Sequence, residues 1–209
     1  MERLKKIGII PIDKAILYSL YSDLKQPKDK VSELERKGLV IRVKRNLYVV
    51  SPKVHNREIS RELVANHLYG PSYISLESAL SYYGLIPERV YALRSVCTKL
   101  HKKYDTPLGV FEYLKMPENY FSIGINQEKA DDSATFLIAS PTKALCDLIV
   151  ATPNLRLQSV KAMQKYLTED LRVDLEAIRN LDKSIVEQCV EAGKKRGELE
   201  VLLDCLARR

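Results

Sequence analysis

The sequence predicts an α+β fold in three regions, because three kinds of pattern follow one another along its 209 residues. The first region combines helical spacing with one pair of β-branched and aromatic runs. The second adds several short strand-like runs to its helices, and the third shows helical spacing alone. Breaks at Ser51-Pro52 and at Thr152-Pro153 place the expected domains at residues 1–53, 54–153 and 154–209.

The residues that follow Lys25 predict a helix and its end. Pro27 suits a first helical turn, where its missing N–H costs no intrahelical hydrogen bond. Val31 and Leu34 give this helix one apolar side, and Gly38 can take the left-handed conformation that ends it. An earlier amphipathic helix is expected over residues 12–21, and residues 2–8 before it are expected as either a short first helix or only a basic lead-in.

A β-hairpin with a basic tip is expected after the second helix. Residues 39–41 and 47–50 are β-branched, aromatic or leucine, and the polar segment 42–46 separates them. Asn46 tolerates a positive φ angle and therefore suits a tight turn. Two helices followed by a hairpin are typical of a winged helix-turn-helix, a DNA-binding fold whose second helix enters the major groove.

The basic charge of the protein is confined to this first region. Residues 1–53 hold 13 lysines and arginines against 6 acidic residues, whereas residues 54–209 hold 21 of each, so the net charge of +7 arises in the first region. Such a surplus favours binding to a phosphate backbone, because each neutralised phosphate releases counterions. The alternative is a lysine-rich surface that is merely solvated.

We expect the DNA contacts on the leading half of the second helix and on the hairpin. Lysines suit phosphates, whereas Gln26 and Ser32 can hydrogen-bond to base edges. The hairpin cations are expected beside the helix, toward a flanking phosphate or the minor groove. The predicted DNA-binding residues are Lys25, Gln26, Lys28, Lys30, Ser32, Arg42, Lys44, Arg45 and Asn46.

The central region is expected to contain helices and a small antiparallel sheet. Helical spacing runs to about residue 69, resumes after Ser75 and returns after Ser140. Polar segments between the strand-like runs favour hairpins over crossovers. The runs are 90–97, 110–114, 121–125 and 135–139. Apolar stripes after residue 154 predict helices that either form a domain of their own or cover the sheet.

Composition and motifs argue against several other classes of protein. No apolar run is long enough for a membrane span, and the first residues lack the apolar core of a signal peptide. The four cysteines are scattered without the spacing of a zinc site, so we expect reduced thiols in the cytoplasm and neither metal nor cofactor.

An enzyme is the least favoured reading. Metal-assisted phosphoryl chemistry needs clustered carboxylates, and the best cluster, Glu128 with Asp131 and Asp132, falls in a predicted loop where polar residues are ordinary. The sequence has no phosphate-binding glycine loop, nucleophile elbow or H-E-x-x-H motif. We therefore expect no catalytic activity.

Six short motifs carry a resemblance to a known family. They are KGLV at 37–40, RNLYV at 45–49, SYISLESAL at 72–80, GLIP at 84–87, TK at 98–99 and PTKALCD at 141–147. In these motifs the chain resembles the AbiE-type antitoxins, which are predicted transcriptional regulators of abortive-infection loci in viral defence. The resemblance covers roughly residues 12–150, and the motif at 72–80 is its most specific part.

The resemblance implies a winged helix that binds operator DNA and represses its own operon. It also implies a genetic partner, a nucleotidyltransferase-like toxin of a type IV toxin–antitoxin system, which the antitoxin counteracts without necessarily forming a stable complex. A standalone winged-helix regulator without a toxin would share every N-terminal feature. Only the neighbouring gene would discriminate between the two.

The chain departs from the family pattern at two positions. Asn46 stands where family members usually carry glycine, and Thr142 stands where they commonly carry glutamate. The first change is mild, because asparagine also enters left-handed geometry. Beside the second, Lys143 and Asp147 are one helical turn apart, and we expect a surface ion pair with a structural role.

Overall fold

The computed structural model describes residues 1–88 and 90–207, which form a mixed α+β fold. The predicted fold class is therefore confirmed at this level. Within these ranges the chain forms twelve α-helices and two sheets. Position 89 of the expected central region, and positions 208 and 209 of the expected C-terminal region, lie outside the described residues.

The first region contains three helices and a three-stranded antiparallel sheet in the order β1-β3-β2. The helices are α1 (Glu2–Lys5), α2 (Lys14–Ser19) and α3 (Pro27–Arg36). The strands are β1 (Ile12–Asp13), β2 (Val40–Lys44) and β3 (Leu47–Val50). Helix α2 begins two residues later than predicted, because Ile12 pairs with Tyr48 and the Asp13 side chain caps the helix at Ile16 N, 2.8 Å away.

Local chemistry sets the ends of α3 as the sequence predicts. Pro27 occupies the first turn, and Val31 and Leu34 are buried. Gly38 has a φ angle of +64°, which places it in the left-handed region. The Leu39 N–H then donates to Leu34 O at 2.9 Å, which closes the helix and directs the chain into β2.

Strand β3 is buried on both faces, which explains its continuous apolar sequence. Tyr48 and Val50 pack with the helices of the first region, in a core that also contains Leu17 and Leu34. Leu47 and Val49 point the other way, into the core of the remaining chain. The hairpin therefore joins the first region to the rest of the molecule through packing.

The central region contains a six-stranded sheet in the order β6-β7-β5-β4-β9-β8. Its strands are β4 (Ser72–Ile74), β5 (Leu93–Cys97), β6 (Lys102–Thr106), β7 (Gly109–Lys115), β8 (Ile125–Asp131) and β9 (Ala134–Ala139). Its helices are α4 (Pro52–His55), α5 (Arg61–Leu68), α6 (Leu76–Tyr82) and α7 (Glu118–Phe121).

The prediction of an antiparallel sheet is wrong in two respects. Strands β5 and β7 pair in parallel, as do β4 and β9, so the sheet is mixed. Two segments expected as polar separators contain the edge strands β6 and β8, and the segment 121–125, expected as a strand, instead joins α7 to β8. In an edge strand many side chains face solvent and are polar, so its sequence resembles that of a polar loop.

The C-terminal helices share one core with the central sheet. They are α9 (Val160–Lys165), α10 (Leu175–Arg179), α11 (Lys183–Glu191) and α12 (Arg196–Ala207), with a π-helical turn at Tyr166–Asp170, and they follow α8 (Pro141–Ala151), the last helix of the expected central region. The stripe residues Met163, Cys189 and Leu202 are buried with Ile138 of β9. The apolar stripes of these helices therefore pack into the core. The division of the chain into three domains stays a prediction. No helix among the described residues is long and apolar enough to cross a membrane.

Candidate nucleic-acid interface

An open cleft lies between α2, α3 and the β2–β3 hairpin. Its volume is about 460 Å³, and every charged residue that lines it is a cation. The lining residues are Lys14, Tyr18, Lys28, Val31, Ser32, Arg42, Arg45, Asn46 and Tyr48. We refer to this surface as the basic cleft.

Helix α3 presents one polar wall of the basic cleft. Because Val31 and Leu34 are buried, Lys28 and Ser32 are left on the exposed side of the helix. The Ser32 hydroxyl donates to Lys28 O at 3.1 Å and keeps lone pairs for a further partner. The Lys28 ammonium has no partner among the described residues.

The hairpin supplies the opposite wall. Asn46 has a φ angle of 67°, so the turn uses the left-handed geometry predicted for this residue. Arg42 lies 5.5 Å from the Tyr48 ring centroid and donates to Glu35 Oε2 at 2.6 Å. The hydrogen bond to Glu35 raises the pKa of Arg42 and holds its guanidinium at the edge of α3. Arg45 is exposed at the tip.

Four residues that line the basic cleft were not among the predicted site residues, and two of them, Lys14 and Tyr18, come from α2. Lys14 and Tyr18 lie one turn apart on α2, and Lys14 Nζ is 5.0 Å from the Tyr18 ring centroid. The Lys14 N–H donates to Asn46 O at 3.2 Å, which ties the start of α2 to the hairpin tip. The i, i+4 spacing of a lysine and a tyrosine was the available signal, but only the second helix and the hairpin were considered.

The structure brings five of the nine predicted residues together in the cleft: Lys28, Ser32, Arg42, Arg45 and Asn46. Lys25 and Gln26 are exposed just before α3 and do not line it. Lys30 is half-buried, and its ammonium lies 2.9 Å from Glu33 Oε2, so its charge is paired. Lys37 also pairs with Glu33, and the two lysines lower the pKa of Glu33 to about 2.

Lys44 lies away from the cleft, contrary to the prediction that it projects beside α3. A β-bulge between Arg42 and Lys44 breaks the alternation that would have placed both on one face of the strand. Lys44 Nζ donates to Leu68 O and lies 5.5 Å from the Tyr104 ring centroid. Burial, and the nearby charge of Lys99, lower its pKa.

The pair Lys143–Asp147 is buried, contrary to the expected surface pair. Both side chains are 0% exposed, and Lys143 Nζ lies 2.8 Å from Asp147 Oδ1. Tyr73 and Ser75 donate to Asp147 Oδ2 at 3.0 and 2.6 Å. Lys143 also donates to Tyr120 O at 3.0 Å. Burial with several partners makes this cluster part of the core, and its structural role stays a prediction.

The departure at Thr142 also has a structural consequence. The Thr142 side chain is buried, and its hydroxyl oxygen accepts from Asp182 N at 2.8 Å. Asp182 in turn caps α11 through its contact with Ser184 N. Thr142 thus fixes the start of α11 against α8 without a charge.

Comparisons with known proteins bear on the fold. Neither protein-family models nor curated proteins match the chain. Among solved structures, the chain is similar to the RV2827C protein from Mycobacterium tuberculosis, with a TM-score of 0.51 and 14% sequence identity. The likeness covers 100% of this chain and 79% of that chain. At this identity it shows a shared mixed α+β fold.

Proposed function

We propose that the protein binds double-stranded DNA through its first region and regulates transcription. In this proposal the first region is a winged helix-turn-helix, with α3 as the recognition helix and the β2–β3 hairpin as the wing. The observation that carries the proposal is the basic cleft, which lies between these two elements and is lined by four cations.

The state of those cations favours a polyanion as the ligand. Within the described residues, Lys14, Lys28 and Arg45 form no ion pair. Other cations of the same region do, since Arg3 pairs with Asp23 and Lys30 with Glu33. Unpaired cations that share one concave surface are suited to neutralising phosphates.

Groups for reading bases lie beside these cations. Ser32 projects from the exposed side of α3, and Asn46 stands at the hairpin tip. Gln26 precedes α3, and its side chain makes no capping hydrogen bond, so its amide is free to meet a base edge. In this arrangement the lysines and arginines position the duplex, whereas Gln26, Ser32 and Asn46 discriminate its sequence.

The resemblance to AbiE-type antitoxins supports a narrower form of the proposal. In that form the protein is the antitoxin and autorepressor of a type IV toxin–antitoxin operon, and a nucleotidyltransferase-like toxin is its functional partner. A toxin gene beside this one, whose expression arrests growth unless this protein is supplied, is the expected result. An unrelated neighbouring gene would leave the standalone regulator as the better description.

The DNA proposal is tested by a mobility shift with the DNA upstream of the gene, titrated against salt and scrambled competitor. We expect tight, competitor-resistant binding. The Lys28→Ala/Arg45→Ala variant should make the slope of log Kobs against log salt shallower by about 1.8, since each lost phosphate contact removes about 0.9.

The matched control is Lys161→Ala/Lys194→Ala, which removes the same charge from exposed positions in the C-terminal region. Its slope should equal that of the unmodified protein. An equal reduction of the salt slope in the two double variants would mean that net charge, and not the basic cleft, drives binding. Absence of binding to any duplex would contradict the proposal.

A further inference from the structure

A second group of cations lies where the hairpin meets the edge of the central sheet. Tyr69, Tyr104 and Tyr113 pack against one another with ring centroids 5.2 to 6.0 Å apart. Lys44 Nζ and Lys102 Nζ lie 5.5 and 5.8 Å from the Tyr104 ring centroid. We refer to these tyrosines and their lysines, including Lys99, as the lysine–tyrosine patch.

Lys99 completes the patch from the loop after β5. Its ammonium is 5.5 Å from the Tyr69 ring centroid and donates to Gly70 O at 2.5 Å. The three ammonium groups thus meet aromatic faces or carbonyl oxygens, which carry no full negative charge to neutralise them. Among the residues that the structure describes, none of the three lysines has a carboxylate partner.

This gathering of like charges favours an anionic ligand. Burial disfavours the charged form of Lys44, the nearby charge of Lys99 disfavours it further, and no carboxylate among the described residues pairs with either lysine. Lys103, one residue beyond Lys102 on β6, faces the other side of the sheet and lies 3.5 Å from Glu112 Oε1. The charge of Lys103 on one face of β6 is therefore neutralised by a carboxylate, whereas the charge of Lys102 on the other face is not.

The patch continues from the basic cleft across the hairpin. Arg42 and Arg45 face the cleft, and Lys44, which lies between them in sequence, faces the patch because of the β-bulge. The hairpin tip therefore contacts both surfaces, since Arg45 lines the cleft and the adjacent Lys44 lies 5.5 Å from the Tyr104 ring centroid. A duplex that lies in the cleft and runs past this tip would bring its flanking phosphates to the patch. Phosphates are the groups that a duplex presents at such flanking positions.

We propose that the lysine–tyrosine patch binds the DNA backbone beside the segment held in the basic cleft, through Lys99 and Lys102. This inference rests on the proposed DNA binding and extends it, because the central region becomes part of the DNA interface. The ligand class is the phosphodiester backbone of duplex DNA. Lys44 positions the hairpin against the patch through Leu68 O and Tyr104.

The test compares two duplexes taken from the DNA upstream of the gene and centred on the segment that the protein protects in a footprint. They are roughly 15 and 30 base pairs long, about one and a half and three helical turns. On the longer duplex, Lys99→Ala/Lys102→Ala should make the salt slope shallower by about 1.8. On the shorter duplex, which is trimmed on the patch side to the last base pair that the Lys99→Ala/Lys102→Ala variant still protects in a footprint, the slope should not change.

Three controls keep the result specific. Lys103→Ala removes a cation from the opposite face of β6 and should leave the slope on both duplexes unchanged. Lys99→Arg/Lys102→Arg keeps the charges and should retain the slope of the unmodified protein. Lys99 and Lys102 are exposed, so the alanine variant should keep its circular dichroism spectrum and melting temperature.

The outcomes separate this inference from the proposed function. If Lys28→Ala/Arg45→Ala lowers the slope on the longer duplex but Lys99→Ala/Lys102→Ala does not, the inference is wrong and the proposed function stands. If Lys99→Ala/Lys102→Ala reduces the salt slope equally on both duplexes, the patch does not bind DNA that flanks the segment in the cleft. A single-stranded RNA that displaces the longer duplex at lower concentration, in a manner that depends on Lys99 and Lys102, would assign the patch to another ligand. If the unmodified protein binds no DNA, both proposals fail.

Discussion

The basic cleft and the core cluster around Lys143 show two opposite uses of a lysine. Lys28 is exposed in the cleft and has no partner among the described residues. Lys143 is 0% exposed and meets Asp147, a carbonyl oxygen and the face of Tyr120, whose ring centroid is 3.3 Å away. One cation is exposed without a partner among the described residues, and the other is neutralised by the fold.

The difference follows from the cost of burying charge. An ammonium removed from water is tolerated only when an opposite charge and hydrogen-bond acceptors replace the water, as they do at Lys143. An exposed ammonium keeps its water and needs no protein partner, so a group of them can stay unpaired at little cost. When such a group neutralises phosphates, counterions condensed on the DNA are released, and this release favours binding. Surroundings, and not residue type, therefore separate a lysine of the core from a lysine of the proposed DNA interface.

The largest expected effect is on stability at the buried cluster. Lys143→Met should destabilise the protein by about 3–5 kcal/mol, because Asp147 is left as a buried charge without its cation. Urea unfolding followed by circular dichroism measures this loss, and Lys161→Met at an exposed position is the control. If Lys143→Met lowers the unfolding free energy no more than the control does, the ion pair of Lys143 does not stabilise the core, and the contrast with the exposed lysines of the cleft fails.

A smaller loss is expected at the end of α3, which forms one wall of the cleft. Gly38→Val should cost about 1–2 kcal/mol, because a β-branched residue would have to adopt the positive φ angle of this position. A Cβ there would come no nearer than 3.8 Å to Lys53 Nζ, so the cost arises from the backbone and not from a clash. Gly38→Asn, which tolerates this geometry better, should lose less. Identical melting curves for the unmodified protein and the two Gly38 variants would contradict a stability requirement for the positive φ angle at this position.

The smallest expected effect distinguishes paired from unpaired cations within the first region. Arg45→Ala should lower the salt slope of DNA binding by about 0.9, the contribution of one phosphate contact. Lys30→Ala removes an equal charge, but that ammonium is already paired with Glu33, so the slope should not change. Equal slopes for these two variants would show that pairing does not decide which cations meet DNA.

The sequence alone determined the helix and hairpin that frame the cleft, because their signals are local. Pro27 suits the start of α3, Gly38 suits the left-handed end, and Asn46 suits the hairpin turn. Each of these preferences acts within a few residues and needs no distant partner. The charge surplus of residues 1–53 was likewise readable without coordinates.

Only the tertiary structure decided which side chains share a surface. The bulge that turns Lys44 away from Arg42, and the parallel pairing of β5 with β7, depend on contacts between distant segments. Lys143 and Asp147 were recognised as a pair, but their burial depends on Tyr73, Ser75 and Tyr120 from elsewhere in the chain. Periodicity reports the local face of a helix or strand, whereas burial and charge pairing are set by whatever packs against it.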